Sequence, residues 1–299
     1  MMPALKQDKL RGELRYDEPL ARHTTWRVGG PAKRFYRPAD RQDLLLFLQT
    51  LDVDEPLLWL GLGSNLLIRD GGFKGSVIVT QGCLKQMQWP QQNRLIAEVG
   101  VPCAKIARGA ARAGVCGVEF LAGIPGTLGG ALAMNAGAFG GETWRQVIRV
   151  ETVDRFGKVR NRLPEEFEIG YRRMAGPPKE WFLSAELGLT LGDTEVTQQK
   201  IKWLLEQRAA SQPTSLPSCG SVFRNPPGEH AARLIEAAGL KGLKIGGAQV
   251  SEKHANFIIN TGRATAEDIE QLIEEVQRVV QQQTGINLVT EVHRIGERA

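Results

Sequence analysis

Apolar positions along the chain switch repeatedly between a helical and a strand period, without the strict strand–helix alternation of a doubly wound sheet. Leu44, Leu45, Leu48 and Leu51 make a helical stripe behind Asp40, a residue suited to capping, with Asp43 three positions on. Residues 57–60 read as a buried strand, 76–80 as a second and 95–99 as a third. A helix is expected over 102–113, closed by Gly114. Residues 147–153 and 158–163, joined by the turn around 155–157, predict a β-hairpin, and 182–191 alternates as a strand. A helix over 196–210 leads into 212–217, a polar stretch with two prolines and the best candidate boundary. A helix over 230–238 is stopped by Gly239, and 250–260 contains a strand. The clearest helix starts at Thr265, where T-x-x-D is completed by Asp268. It carries Ile269, Leu272, Ile273, Val276, Val279 and Val280, and ends at Gly285. Residues 288–295 are expected to close the chain as a strand. This mixture predicts an α+β fold.

Two glycine-rich runs interrupt the pattern, GLGSNLLIRD from Gly61 to Asp70 and AGIPGTLGGALAMNAGAFG from Ala122 to Gly140. Glycine permits φ > 0 and lets a ligand approach the backbone, and successive free N–H groups form anion-binding concavities. Neither run is a familiar nucleotide signature. Leu66 stands where a dinucleotide fingerprint needs its third glycine, and no G-x-x-x-x-G-K-[ST] occurs. Each run alone reads equally as a turn between strands. Together they favour a large phosphate-bearing ligand, with Ser64, Asn65, Thr127 and Asn135 as polar groups for phosphate, ribose or ring edges.

Composition narrows the classes. The chain has 299 residues and a net charge of +5, with basic residues scattered and not in runs. That excludes an evident nucleic-acid surface and leaves a mild attraction for small polyanions. The four cysteines, Cys83, Cys103, Cys116 and Cys219, lack C-x-x-C spacing, which fits reduced thiols and a cytoplasmic location. Four histidines form no metal-binding pair, so no metal is expected. No signal peptide is legible, and no stretch approaches the ~18–20 continuous apolar residues of a membrane span.

Further motifs carry a resemblance. HTTWRVGGPA (His23 to Ala32), the two glycine runs, Tyr171-Arg172, GSVFRNP (Gly220 to Pro226), VSEKHANFIIN (Val250 to Asn260) and EVHRIG (Glu291 to Gly296) follow in one order. In these motifs the chain resembles the UDP-N-acetylenolpyruvoylglucosamine reductase (UDP-N-acetylmuramate dehydrogenase) family over nearly its whole length. The resemblance implies an FAD-binding domain of the p-cresol methylhydroxylase/vanillyl-alcohol oxidase type and a smaller α+β substrate domain. The expected division is 1–85 and 86–211 as FAD-binding subdomains, 212–290 for substrate, and 291–299 as a strand returning to the active site. It also implies that NADPH reduces FAD, which then reduces the enolpyruvyl group of a UDP-sugar to a lactyl ether. A monomer acting on small molecules, with no nucleic-acid or membrane partner, is expected.

By resemblance, FAD is held by Gly61, Leu62, Gly63, Ser64, Asn65, Leu66, Ala122, Gly123, Ile124, Pro125, Gly126, Thr127, Gly129, Gly130, Asn135 and Ala136. Tyr171, Asn225, Lys241 and His254 match positions lining the UDP-sugar site, and Lys241 with Arg224 could meet the diphosphate. Arg172 is implied as the cation at the substrate carboxylate, Glu291 as its acidic partner and Ser221 as the proton donor. Hydride delivered to the vinyl carbon leaves charge that spreads into that carboxylate, so a fixed guanidinium and a proton source are needed beside it. Glu291 contributes only if burial keeps it protonated or sharing a proton. The hydroxyl of Ser221 becomes an adequate acid when its acceptor is a strongly basic carbon.

The chain departs from some members. Its tyrosines are Tyr16, Tyr36 and Tyr171, so the lid tyrosine between the Tyr-Arg and Gly-Ser motifs is absent, as in the shorter subclass. Arg173-Met174 stands where many members have another residue and then serine. Two alternatives stay open, an FAD-dependent oxidase on another small substrate and a non-catalytic flavin-binding protein. Neither gives Arg172, Ser221 and Glu291 a shared role.

Overall fold

Alternation at 94–98, 147–154 and 180–188 places one face of each strand in a core. The computed structural model describes residues 9–299 and joins these segments in a five-stranded antiparallel sheet. Its order is Val159–Arg162, Val147–Asp154, Glu180–Gly188, Arg94–Glu98, Met87–Gln91. Ala185 lies opposite Val150 on one side and Ala97 on the other, so three buried side chains stand in one row across the sheet. The hairpin expected at 147–163 forms in this sheet.

The molecule divides into two units, each with its own hydrophobic core. The first comprises 9–15, Arg34–Leu62 and Gly75–Glu206; the second comprises Tyr16–Lys33, Gly63–Lys74 and Gln207–Ala299. In the first, helix Cys103–Arg112 buries Cys103, Ile106, Ala107, Ala110 and Ala111, the small residues letting it lie close to its neighbours. Helix Arg41–Leu48 starts as expected, with the Asp40 side chain accepting from the Asp43 N–H. Strand Leu57–Leu60 runs parallel to Ser76–Val79 at the edge of a four-stranded sheet. Helix Thr194–Ser211 begins two residues before the expected start.

In the second unit, helix Ala266–Thr284 buries Ile269, Leu272, Ile273, Val276 and Val280. Thr265 and Asp268 form the expected capping box, and Gly285 ends the helix at φ 74°. A second cap was not legible in the helix's own sequence. The carboxylate of Asp70, at the end of the first glycine run, accepts from the N–H groups of Ala266 and Glu267, both at 3.0 Å. Behind it Glu270, almost wholly buried, accepts from Arg69 and Arg294, and the Arg69 hydrogen bond holds its carboxyl below the usual range. Trp26, fully buried, donates to the Ile258 carbonyl at 2.7 Å and ties the HTTWRV segment to the sheet Lys244–Ile245, Ala248–Val250, Ile258–Asn260.

Two expectations are corrected. Only His293–Ile295 of the expected 288–295 strand is a strand, parallel to Leu66–Ile68. Before it the backbone turns to another partner: Val289 accepts from Arg224 and Glu291 donates to Val222. Leu288 and Val292 therefore face the core and Val289 faces water. The second glycine run is not one loop. It contains helix Leu128–Ala133 and strand Gly137–Ala138, because Leu128, Ala131 and Leu132 supply an apolar face that the glycine count hides.

Replacing Asp70 by alanine removes two first-turn acceptors and a favourable helix-end charge. The expected loss is about 1–2 kcal/mol, read as a lower denaturant midpoint at unchanged slope. An unchanged midpoint would remove this cap from the account.

Candidate active site

In the first unit the second glycine run is fixed by its own backbone. Cys103 donates to Gly126, Leu128 to Val101 and Gly129 to Val99, all at 2.9 Å. Thr127 is buried in this frame, yet its hydroxyl has no hydrogen-bond partner among the described residues. A Cβ added at Gly61 would lie 2.6 Å from that hydroxyl oxygen. The first glycine run thus reaches the second at Thr127, and the close approach is possible only because Gly61 has no side chain.

Asn135 lies at the end of this run with φ 41° and is buried. Its amide donates to the Gly170 carbonyl at 3.0 Å and to Glu142 at 3.3 Å, while its oxygen accepts from the Trp144 N–H at 3.2 Å. Gly170 ends the first strand of a short hairpin, Glu168–Gly170 with Arg173–Ala175, whose two turn residues are Tyr171 and Arg172. Asn135 therefore holds the hairpin that presents the expected carboxylate-binding arginine. Arg172 has φ 53°, a left-handed conformation unusual for a long side chain. Its guanidinium stands 5.4 Å from the Tyr171 ring centroid, and its Nη1 would lie 3.3 Å from a Cβ at Gly137. Tyr171 itself is exposed.

In the second unit the remaining chemical residues gather on short irregular segments. Glu291 donates its backbone N–H to the Val222 carbonyl at 2.8 Å, one residue beyond Ser221. Phe223 and Thr290 form an antiparallel bridge, and Arg224 donates to Val289 at 2.9 Å. The Asn65 amide, from the first glycine run, donates to the Glu291 carbonyl at 3.1 Å, and Asn65 accepts from the His293 N–H at 3.1 Å. Ser221 and Glu291, seventy positions apart, are thus backbone neighbours. Both side chains are half-buried.

The expected sugar-site residues have partners of their own. Asn225 accepts from the Ala231 N–H and caps helix Ala231–Ala237, Lys241 pairs with Glu236 at 2.8 Å, and His254 packs edge-on to Phe257 at 4.8 Å. Burial, with the Lys241 charge assisting, keeps the His254 pKa below its ordinary value. Cys219, two residues before Ser221, is buried and its thiol is pushed up to about 12 by burial, so it is no nucleophile at neutral pH. No cluster suited to a metal ion is found among the described residues.

One residue of this site was missed in the sequence. Asn256 uses its amide to grip both backbone groups of Phe223. Its signal was a polar side chain inside HANFIIN, between positions that are otherwise buried and mostly apolar.

Comparison with known proteins identifies the family. A family model described as the C-terminal domain of UDP-N-acetylenolpyruvoylglucosamine reductase matches residues 212–295, and one described as an FAD binding domain matches 32–161. The UDP-N-acetylenolpyruvoylglucosamine reductase of Alkalilimnicola ehrlichii is 61% identical over 96% of this chain and 96% of that protein. Its counterpart in Legionella pneumophila (strain Corby) is 62% identical over 96% and 94%. The crystal structure of the Thermus caldophilus reductase superposes with a TM-score of 0.81 at 33% identity, covering 95% of this chain and 99% of that one. The chain belongs to the UDP-N-acetylenolpyruvoylglucosamine reductase family.

Proposed function

We propose that Arg172, Ser221 and Glu291 carry the chemistry by which this chain reduces UDP-N-acetyl-3-O-(1-carboxyvinyl)-glucosamine to UDP-N-acetylmuramate. The protein is an NADPH-dependent flavoprotein oxidoreductase of peptidoglycan precursor synthesis. Bound FAD supplies two-electron chemistry, taking a hydride from NADPH and giving it to carbon. The residues present fit such a group. The unpartnered buried hydroxyl of Thr127 beside Gly61 supports a polar ligand there. In this reading the two glycine runs, Gly61 to Leu66 and Ala122 to Ala136, would hold FAD.

Arg172 binds the substrate carboxylate and offsets the charge that develops on it. A guanidinium keeps its charge at any working pH and can engage both oxygens. Its backbone is held in a sparsely populated conformation by the hairpin and by Asn135, which supports a preorganised role. Ser221 donates the proton to the adjacent carbon, and Glu291 supports the carboxylate. The observation that carries the reading is the backbone bond from Glu291 to the residue after Ser221, because it joins two motifs that the reaction needs together. Tyr171, Asn225, Lys241 and His254 contact the UDP-sugar in this reading. Residues 1–85 and 86–211 serve FAD, 212–290 the substrate, and 291–299 return to the active site. The same reading makes the protein a cytoplasmic monomer acting on two small polyanions, with no nucleic-acid or membrane partner. Among the described residues no helix is long and apolar enough to cross a membrane.

Rapid mixing separates the roles. Ser221→Ala should keep bleaching of the flavin by NADPH at the wild-type rate, while reoxidation by the enolpyruvyl sugar slows roughly 10²–10⁴-fold. Equal loss in both half-reactions would count against proton donation. Arg172→Ala should slow the same second half-reaction by about 10²–10³-fold; unchanged turnover removes the arginine from the mechanism. Gly61→Ala should weaken FAD binding about tenfold or more, since overpacking costs about 1–3 kcal/mol. Titration of the flavin-free protein with FAD checks it, and wild-type affinity would place the cofactor elsewhere.

A further inference from the structure

We infer that Asn256 is a positioning residue for proton delivery, its side-chain amide fixing the register of the Ser221 segment against Glu291. The inference rests on the role just proposed for Ser221. Asn256 is buried at 3% exposure against the backbone of Val222 and Phe223. Its Oδ1 accepts from the Phe223 N–H at 2.9 Å and its Nδ2 donates to the Phe223 carbonyl at 2.8 Å. Its own carbonyl accepts from the Val222 N–H at 2.9 Å. The orientation of the amide is unambiguous, because an N–H can be met only by the oxygen and a carbonyl only by the NH2.

Three of the four backbone polar groups of Val222 and Phe223 therefore belong to one residue. The fourth, the Val222 carbonyl, accepts from Glu291. On its far side Glu291 is held by the amide of Asn65. Pairing between 222–224 and 289–291 amounts to an isolated bridge and its flanking bonds, too short a ladder to fix its own register. A slip of one residue in extended backbone turns every side chain to the opposite face. Such a slip would carry the Ser221 hydroxyl away from the face it now occupies. With Asn256 in place, the slip also strands a buried N–H and a buried carbonyl, each costly to leave unmet.

Only asparagine meets these demands at this length. Aspartate lacks the donor for the Phe223 carbonyl, leucine has neither partner, and glutamine places the amide one carbon farther out. General acid catalysis needs the donor within hydrogen-bond reach, and a misplacement of about 1 Å costs on the order of 10²-fold. Asn256 thus governs how fast the proton arrives, and flavin reduction by NADPH, which uses no proton from Ser221, is untouched.

The test uses the flavin-loaded full chain with N256D, N256S and N256A, alone and combined with Ser221→Ala. Flavin bleaching by NADPH should stay within about twofold of wild type, while reoxidation by the enolpyruvyl sugar slows about 10–10²-fold. The solvent deuterium isotope effect on that phase should grow, and the dissociation constant of the sugar should change little. In the Ser221→Ala background the same substitutions should cost nothing more, since both act on one step. A parallel fall in both half-reactions, or an additive loss in the double variants, overturns the inference. So does loss of bound flavin in all three variants, which would make the role one of folding alone. If Ser221→Ala by itself leaves reoxidation at the wild-type rate, the role of Ser221 fails separately, and that result is read before any Asn256 variant.

Discussion

Buried backbone polar groups must find partners, and segments that are neither helix nor sheet cannot find them in a ladder. This constraint shapes the places where the chemical residues stand. The Ser221 segment, the Glu291 segment and the Tyr171-Arg172 turn are all short and irregular. Each is held by the amide of an asparagine from elsewhere in the chain: Asn256 at Phe223, Asn65 at Glu291 and Asn135 at Gly170. An amide carries a donor and an acceptor on one rigid plane, so it substitutes for a strand neighbour at a single residue. These segments thereby satisfy their backbone groups without a sheet's regular twist and spacing.

The glycine runs solve a related problem of space. At Gly61 the missing side chain leaves room for the hydroxyl of Thr127, which is buried with no hydrogen-bond partner among the described residues. At Gly137 the missing side chain leaves room for the guanidinium of Arg172. Arg172 and Asn135 both hold left-handed backbone conformations, which cost on the order of 1–3 kcal/mol each when a non-glycine residue adopts them. That cost is offset by the hairpin pairing and by the Asn135 bonds to Gly170 and Trp144, which hold the backbone of the Tyr171-Arg172 turn in place.

The electrostatics follow the same economy of placement. Net positive charge is spread thinly, while ion pairs that matter to the fold are partly buried and shared: Glu270 serves Arg69 and Arg294 together. Its depressed carboxyl contributes stability above the ordinary carboxylate range, and that contribution is lost as pH falls through its lowered value. The buried thiols of Cys83, Cys103 and Cys219 are pushed up by burial, which leaves the redox chemistry to the cofactor.

Local signals in the sequence determined the elements whose causes are local. The capping box at Thr265, the Asp40 cap and the hairpin at 147–163 rest on residues within a few positions of one another, and each forms. The motifs also carried the family and its cofactor, since their order along the chain is itself the evidence. Tertiary structure decided whatever depends on distant partners. Residues 288–292 left the strand period because their backbone bonds go to 222–224. A glycine-rich stretch became partly helical because Leu128, Ala131 and Leu132 had a core to enter. Asp70 became a helix cap, and Asn256 a clasp, for groups far away in the chain. Spacing along a sequence reports the repeat of a helix or strand, but the partner of a buried amide is chosen in three dimensions, where nearness in the chain has no bearing.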